Sequence, residues 1–335
     1  MDKPQLIRHA VLSALARDRI PGWSFTGHFQ NIAWPRIDDS TMTVTMPLGP
    51  QCTDAAGNVE LAALLVLLDA ALASPTRIAL AHGTRMATTQ INAHFHGVMA
   101  RDDVSVESAF DGATEAGSLR QLLSSGRLTS RGRKVISGNG AFVQLPPPAT
   151  AGEMAPLPWQ RHEWVEPPAL TPEQLDARES AIYAACEAAL RDDAAVAGNA
   201  SKVSDASDAN DASDTASANA ALASSFLKRF WGIAPVATND GATCRLVAGP
   251  QLANRVGHVQ GGILMGAAAE TARLAVPGHP VFANLSAWFI APGRGDALNV
   301  SSRVVHAGRS LAVVRTEITG TDGARVLDVT SAHAA

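Results

Sequence analysis

Hydrophobic positions along the chain follow two periods. Residues Leu61 to Leu68 are continuously apolar up to Asp69, and the apolar stretch resumes to about Leu80. A helix over Val59 to Leu80, buried on most sides, is the expectation. A second apolar stretch predicts a helix over Val259 to Val276. The segments after each helix alternate with period two: Ile91, Ala93, Phe95; then Val104, Val106; then Val313, Arg315, Glu317. That is the pattern of half-buried antiparallel strands. Gly132-Arg133 and Gly308-Arg309 punctuate the strands, as bends or bulges do. Strands around one buried central helix in each half give an α+β layer fold.

The middle of the chain lacks this patterning. Residues 145–170 are proline-rich and expected to be extended. Thr171-Pro172-Glu173 predicts a helix start, with Thr171 as N-cap and Pro172 first in the helix, running to about Arg191. Residues 194–225, almost wholly Ala, Ser, Asp and Asn, bury too little to offset their ordering entropy and are expected to be a flexible linker. The expected organisation is a domain over 1–146, a connecting region over 147–225, and a second domain over 226–335.

The two halves resemble each other. At an offset of 200, Gly49, Pro50, Gln51, Gly57, Val59 and Leu64 match Gly249, Pro250, Gln251, Gly257, Val259 and Leu264. QINAHF (90–95) matches NLSAWF (284–289), and GRLTSRGRKVI (126–136) is set against SRVVHAGRSLA (302–312).

Composition narrows the function. A net charge of −4 and 5% aromatic residues supply neither the basic excess nor the stacking platforms of a nucleic-acid binder. The charged first 20 residues do not form a secretory signal, and no apolar run approaches the ~20 residues of a membrane span. Cys52, Cys186 and Cys244, odd in number and far apart, fit a reducing, cytoplasmic setting.

The run NRVGHVQGG (254–262) resembles the N-x-x-G-x-x-H-G-G signature of hotdog-fold acyl-CoA thioesterases of the phenylacetate type. The resemblance covers about 230–335 well and 30–145 more weakly. It implies two tandem hotdog domains, each an antiparallel sheet wrapped around a central helix. It also implies an acyl-CoA substrate, no cofactor apart from the coenzyme A of that substrate, and association into a homodimer of double hotdogs.

Two departures matter. The family's histidine is Gln260, and the position of its helical acid, nine residues on, is Ala269, with Glu270 beside it. In the first half Glu60 aligns with the histidine and Asp69 with the acid, but Leu61-Ala62 replace the glycines and Asp54 the asparagine. The resemblance places active sites between two units, so one composite site is expected from Asp69, Asn254, Gln260 and Gly261. The other, from Ala269, Asp54, Glu60 and Leu61, is expected to have decayed.

Each assignment has a plainer alternative. The Gly261 N–H at a helix N-terminus can hold an oxyanion, or Gly261-Gly262 can pack the helix start. Asp69 is a general base or nucleophile, or an aspartate satisfied by a neighbouring strand. Asn254 orients the thioester or holds an Asx-turn. Gln260 contacts substrate or caps the helix. Gly262, His258 and Arg309 are carried as further substrate contacts, and Arg294 and Arg303 as candidates for phosphates. His94 and His96 have no third ligand nearby and are taken as polar strand residues, so no metal site is assigned. A hotdog hydratase requires an Asp/His pair on one segment, and no histidine follows Asp69 until His82. The leading reading is thioester hydrolysis; the alternative is a non-catalytic acyl-CoA-binding or regulatory protein.

Overall fold

The computed structural model describes residues 1–80, 83–117, 119–146, 154–161, 164–203 and 225–335, with backbone alone for 116 and 192–203. The first half runs α1 (Lys3–Asp18), α2 (Phe25–Phe29), β1 (Ala33–Ile37), β2 (Thr41–Met46), α3 (Leu61–Thr76), β3 (Arg85–Phe95), β4 (Val104–Ala116), β5 (Leu119–Ser130) and β6 (Arg133–Leu145). Helix α4 (Ala177–Val203) lies between the halves. The second half runs α5 (Phe226–Trp231), β7 (Val236–Thr238), β8 (Gly241–Val247), α6 (Gly261–Ala275), β9 (Val281–Phe289), β10 (Ala297–Ala307), β11 (Leu311–Gly320) and β12 (Arg325–Ala334).

All twelve strands form one sheet in the order β1-β2-β4-β5-β6-β3-β9-β12-β11-β10-β8-β7. Read outward from the β3–β9 seam, the two halves have the same strand order. Asn92 pairs with Ser286 across the seam, and Ile91 with Ala287. Asn92 and Ser286 occupy equivalent places in the two matched segments, so a local two-fold passes through this pair. The same axis passes between the central helices. A β-carbon on Gly262 would lie 2.4 Å from Val66 Cα, and one on Gly266 would lie 2.6 Å from Ala62 Cβ. This pairing is antiparallel and centred near Leu64 and Leu264. The backbones approach this closely because glycine has no side chain to hold them apart. The same axis runs by Phe29 and Phe230, whose rings are 5.2 Å apart.

The central helices are shorter than the sequence suggests. Helix α3 ends at Thr76, with Pro75 in its last turn, and residues 77–80 form turns; proline supplies no amide to extend the ladder. Fourteen of its sixteen residues are buried, as expected of a helix that is apolar all round.

The register corrects one segment of the sequence match. Val44 pairs with Val106, which pairs with Leu128; the matching row of the second half is Cys244, Val300, Ile318. Residues 126–136 form the β5–β6 hairpin, whereas 302–312 form the β10–β11 hairpin, the counterpart of β4–β5. Alternating strands around a Gly-Arg turn look alike in any hairpin, which is why the two segments align. Gly132 follows Arg131 in that hairpin turn, both at positive φ (72° and 51°), the two-residue geometry that suits twisted strands.

The connecting region also differs from expectation. Thr171–Gln174 makes a single 3-10 turn, and α4 begins at Ala177. Leu175 is extended, and a new start is built from Asp176: its carboxylate accepts from the Glu179 N–H (2.8 Å) while Glu179 accepts from the Asp176 N–H (2.9 Å). This reciprocal capping box takes the role assigned to Thr171. The helix continues through 194–203, which the composition assigned to linker; alanine is the best helix former and extends an existing helix readily. Residues 204–224 of the expected linker lie outside the described residues. Helix α4 is tied to α1 by Arg8–Glu187 (2.6 Å) and to the end of α1 by Arg19–Glu179 (2.7 Å). No helix among the described residues is long and apolar enough to cross a membrane.

Candidate active site

Because α3 and α6 cross antiparallel about the two-fold, the N-terminus of each lies beside the middle of the other. Asp69, nine residues past the N-cap of α3, therefore meets the start of α6. Gln260 Nε2 donates to Asp69 Oδ2 at 2.8 Å, and its Oε1 accepts from the Ile263 N–H at 3.0 Å, capping α6. A β-carbon at Gly261 would sit 3.0 Å from the same carboxylate oxygen. Thr88 on β3 donates to Asp69 Oδ1 at 3.4 Å. Asp69 is 7% exposed. Burial pushes its carboxyl up to about 6, against the opposing pull of Thr88, the Gly262 amide and Gln260. Desolvation thus outweighs a helix N-terminus and two side-chain donors.

This group lines a cavity of about 500 Å³. The cavity follows one stripe of α3 (Val66, Asp69, Ala73) to the capping Arg77, faces Thr88 and Met86 on β3, and is closed by Asn254, His258, Gln260, Gly261 and Phe289 from the other half. Asp69 is the one carboxylate among the described lining residues. Arg77, Arg85, Arg255 and Arg294 supply positive charge.

Asp69, Asn254, His258, Gln260 and Gly261 are brought together here, with the Gly262 amide at Asp69; Arg309 is not. Gly262 packs on Val66 and sets the helix approach, and Arg309 is exposed in the β10–β11 turn, away from the cavity. Asn254 Oδ1 accepts from the Val256 and His258 amides at 3.0 and 3.1 Å. Asp54 makes the same turn in the first half, with the Ala56 and Asn58 amides at 2.9 and 2.8 Å. The Asx-turn thus accounts for both residues without chemistry. His258 accepts from Arg294 Nε at 2.9 Å; burial, then Arg294 and Arg85, hold its pKa below the usual value. His94 is exposed, His96 bonds Ser137 at 2.9 Å, and no metal-binding cluster occurs among the described residues.

The symmetry-related position is filled by the chain itself. Helix α5 matches α2: Ser225, Phe226 and Phe230 stand where Ser24, Phe25 and Phe29 do, and Lys228 stands where Gly27 does. Lys228 Nζ lies 3.1 Å from Glu270 and 3.6 Å from Glu60, and Arg273 pairs with Glu270. Around the open cavity the counterparts of Lys228, Glu270 and Arg273 are Gly27, Ala70 and Ala73. Burial raises the Glu60 pKa. Burial would raise Glu270 too, but Lys228 and Arg273 outweigh it and leave it below the usual range. Four charged side chains thus occupy the space that small and neutral ones leave open on the other side.

Sequence reasoning missed Thr88, Arg77, Arg255 and Lys228. Thr88 reaches Asp69 only through strand placement. Lys228 was visible in principle, as the cation that replaces Gly27 in the repeated Ser-Phe-x-x-x-Phe segment.

Residues 250–334 match the family model of the acyl-CoA thioesterase N-terminal domain. No curated protein matches in sequence. Among solved structures, a protein assigned as an oleoyl thioesterase from Lactobacillus plantarum is 11% identical, with a TM-score of 0.50, covering 88% of this chain and 96% of its own. The tesB protein of Mycobacterium avium subspecies paratuberculosis is 13% identical with a TM-score of 0.47, covering 90% and 96%. A hot-dog-fold protein from Alicyclobacillus acidocaldarius is 10% identical with a TM-score of 0.48, covering 90% and 96%. The family match thus lies in the second repeat, over residues 250–334.

Proposed function

We propose that the chain is a tandem double-hotdog acyl-CoA thioesterase with one composite active site, hydrolysing an acyl-CoA to the free acid and coenzyme A. The observation that carries this reading is the buried Asp69 of one repeat hydrogen-bonded to Gln260 at the N-terminus of the other repeat's central helix, at the wall of the cavity. A thioester seated with its carbonyl oxygen at the Gly261 N–H would have its developing oxyanion met by a helix N-terminus. Asp69, ionised at neutral pH but more basic than an ordinary aspartate, would take a proton from water as the water oxygen attacks the thioester carbon. Collapse of the tetrahedral intermediate breaks the carbon–sulfur bond, and the departing sulfur receives the proton from Asp69. Gln260 orients the carboxylate, and the filled symmetry-related position supports a count of one site per chain.

The test is steady-state release of free thiol from a panel of acyl-CoAs, with Asp69→Asn as control. Turnover that this substitution removes supports the proposal. Tight acyl-CoA binding without thiol release returns the non-catalytic binding reading.

A further inference from the structure

Two of the cavity's four arginines differ from the ion-paired arginines elsewhere in the protein. Arg8, Arg19 and Arg315 each meet a carboxylate, at 2.6, 2.7 and 2.5 Å. Arg77 and Arg255, half-buried, meet none among the described residues. Arg77 Nη1 lies 3.4 Å from the Thr84 carbonyl, and Arg255 Nη2 donates to the Ala155 carbonyl at 2.8 Å. Burial, with the nearby Arg255 charge adding to it, lowers the Arg77 pKa to about 10; burial lowers that of Arg255 as well. Both still carry their charge at neutral pH. Two desolvated like charges without an acid are unfavourable unless something absent from the free protein completes them.

Their position says what that is. Asp69 and Ala73 lie one turn apart on α3 and Arg77, the residue that caps its C-terminus, follows four residues on, so Arg77 stands about 12 Å beyond Asp69 along the helix axis. Arg255 approaches from the other repeat. Between Asp69 and this pair the cavity wall is apolar, with Ala73, Met86 and Leu145.

We propose that Arg77 and Arg255 form a subsite for an oxyanion carried by the substrate, at the end of the cavity remote from Asp69. The guanidinium fork matches carboxylate and phosphate oxygens alike. The oxyanion is either the distal carboxylate of a dicarboxylic acyl group or a phosphate of coenzyme A. The proposal rests on the thioesterase reading for its substrate, but not for its binding test.

The test compares wild type, Arg77→Met and Arg255→Met on adipyl-CoA, hexanoyl-CoA and hexanoyl-pantetheine. Loss of a charge-assisted bond predicts a fall in kcat/KM of about 10- to 100-fold. A fall for adipyl-CoA but not hexanoyl-CoA assigns the subsite to the acyl carboxylate. A fall for both coenzyme A thioesters, with hexanoyl-pantetheine unchanged, assigns it to a phosphate. No change on any substrate, or an equal fall on all three, overturns the proposal. Calorimetric binding of adipate and of coenzyme A needs no turnover. Binding weakened at least about tenfold in both variants upholds the subsite even if no thioester is cleaved, and binding unchanged in both overturns it. Should Arg77→Met fail to fold, Arg255→Met, in a turn outside the helices, carries the test.

Discussion

Replacing Asp69 by asparagine should make the protein more stable while removing its activity. The carboxyl moves from an ordinary aspartate value of about 3.9 in the unfolded chain to about 6 in the folded one. The folded state therefore binds more protons between about pH 4 and pH 6, and stability falls as pH rises through that window. Above it the accumulated cost is about 3 kcal/mol, an upper figure that any relaxation of the site reduces. Asparagine is neutral throughout, and its Oδ1 still accepts the Gln260 Nε2–H, so no new orphan group replaces the charge. Urea unfolding at pH 8 should show Asp69→Asn more stable than wild type by about 2–3 kcal/mol. At pH 4 the difference should shrink towards zero. Thiol release should drop by about 10²–10⁴-fold if Asp69 is the general base. Wild-type kcat/KM should fall about tenfold for each pH unit below about 6. A variant no more stable than wild type at pH 8, or one offset equally at both pH values, refutes the reasoning, because the strain would then not be electrostatic.

Other perturbations draw on the same geometry. Gln260→Ala removes the α6 cap, for about 1 kcal/mol by thermal melting, and removes a donor to Asp69, so the acidic limb of the pH–rate profile should move to higher pH. Lys228→Met leaves Glu60 and Glu270 short of a cation in the filled position; it should cost about 3–5 kcal/mol at pH 7 in denaturant unfolding, and less at low pH, where Glu60 accepts a proton. Gly262→Ala places a β-carbon 2.4 Å from Val66 Cα; it should cost about 1–3 kcal/mol and lower kcat by shifting the α6 N-terminus off Asp69.

The sequence made the repeat, the two apolar helices and the pairing of Asp69 with Gln260 and Gly261 legible, because each rests on local pattern carried through a two-fold. An acid isolated in LLVLLDAALA is conspicuous on one helix, and the duplication says which helix end faces it. The hairpin equivalence was not legible: Gly-Arg turns between alternating strands look alike, and only the hydrogen-bonded rows distinguish Leu128 from its neighbours. Nor was the start of α4, where Asp176 and Glu179 outcompete Thr171 through a box completed by both partners. Arg309 sits in the kind of Gly-Arg turn that suggests a ligand contact, yet the sheet carries it away from the cavity. Arg255 and Thr88 converge on that cavity from separate loops and strands, and no spacing along the chain announces a meeting made by topology.

The seam between β3 and β9 has a bearing on how the protein behaves at low concentration. When a site is assembled from two separate copies, dilution takes it apart. Here Asp69 and Gln260 are joined through one polypeptide, and the strands on either side of Asn92 and Ser286 are held at the high effective concentration of a tether. Specific activity should therefore stay constant over dilutions at which a non-covalent pair would dissociate, and a mutation weakening the seam should appear first as lost stability rather than as concentration-dependent loss of the site.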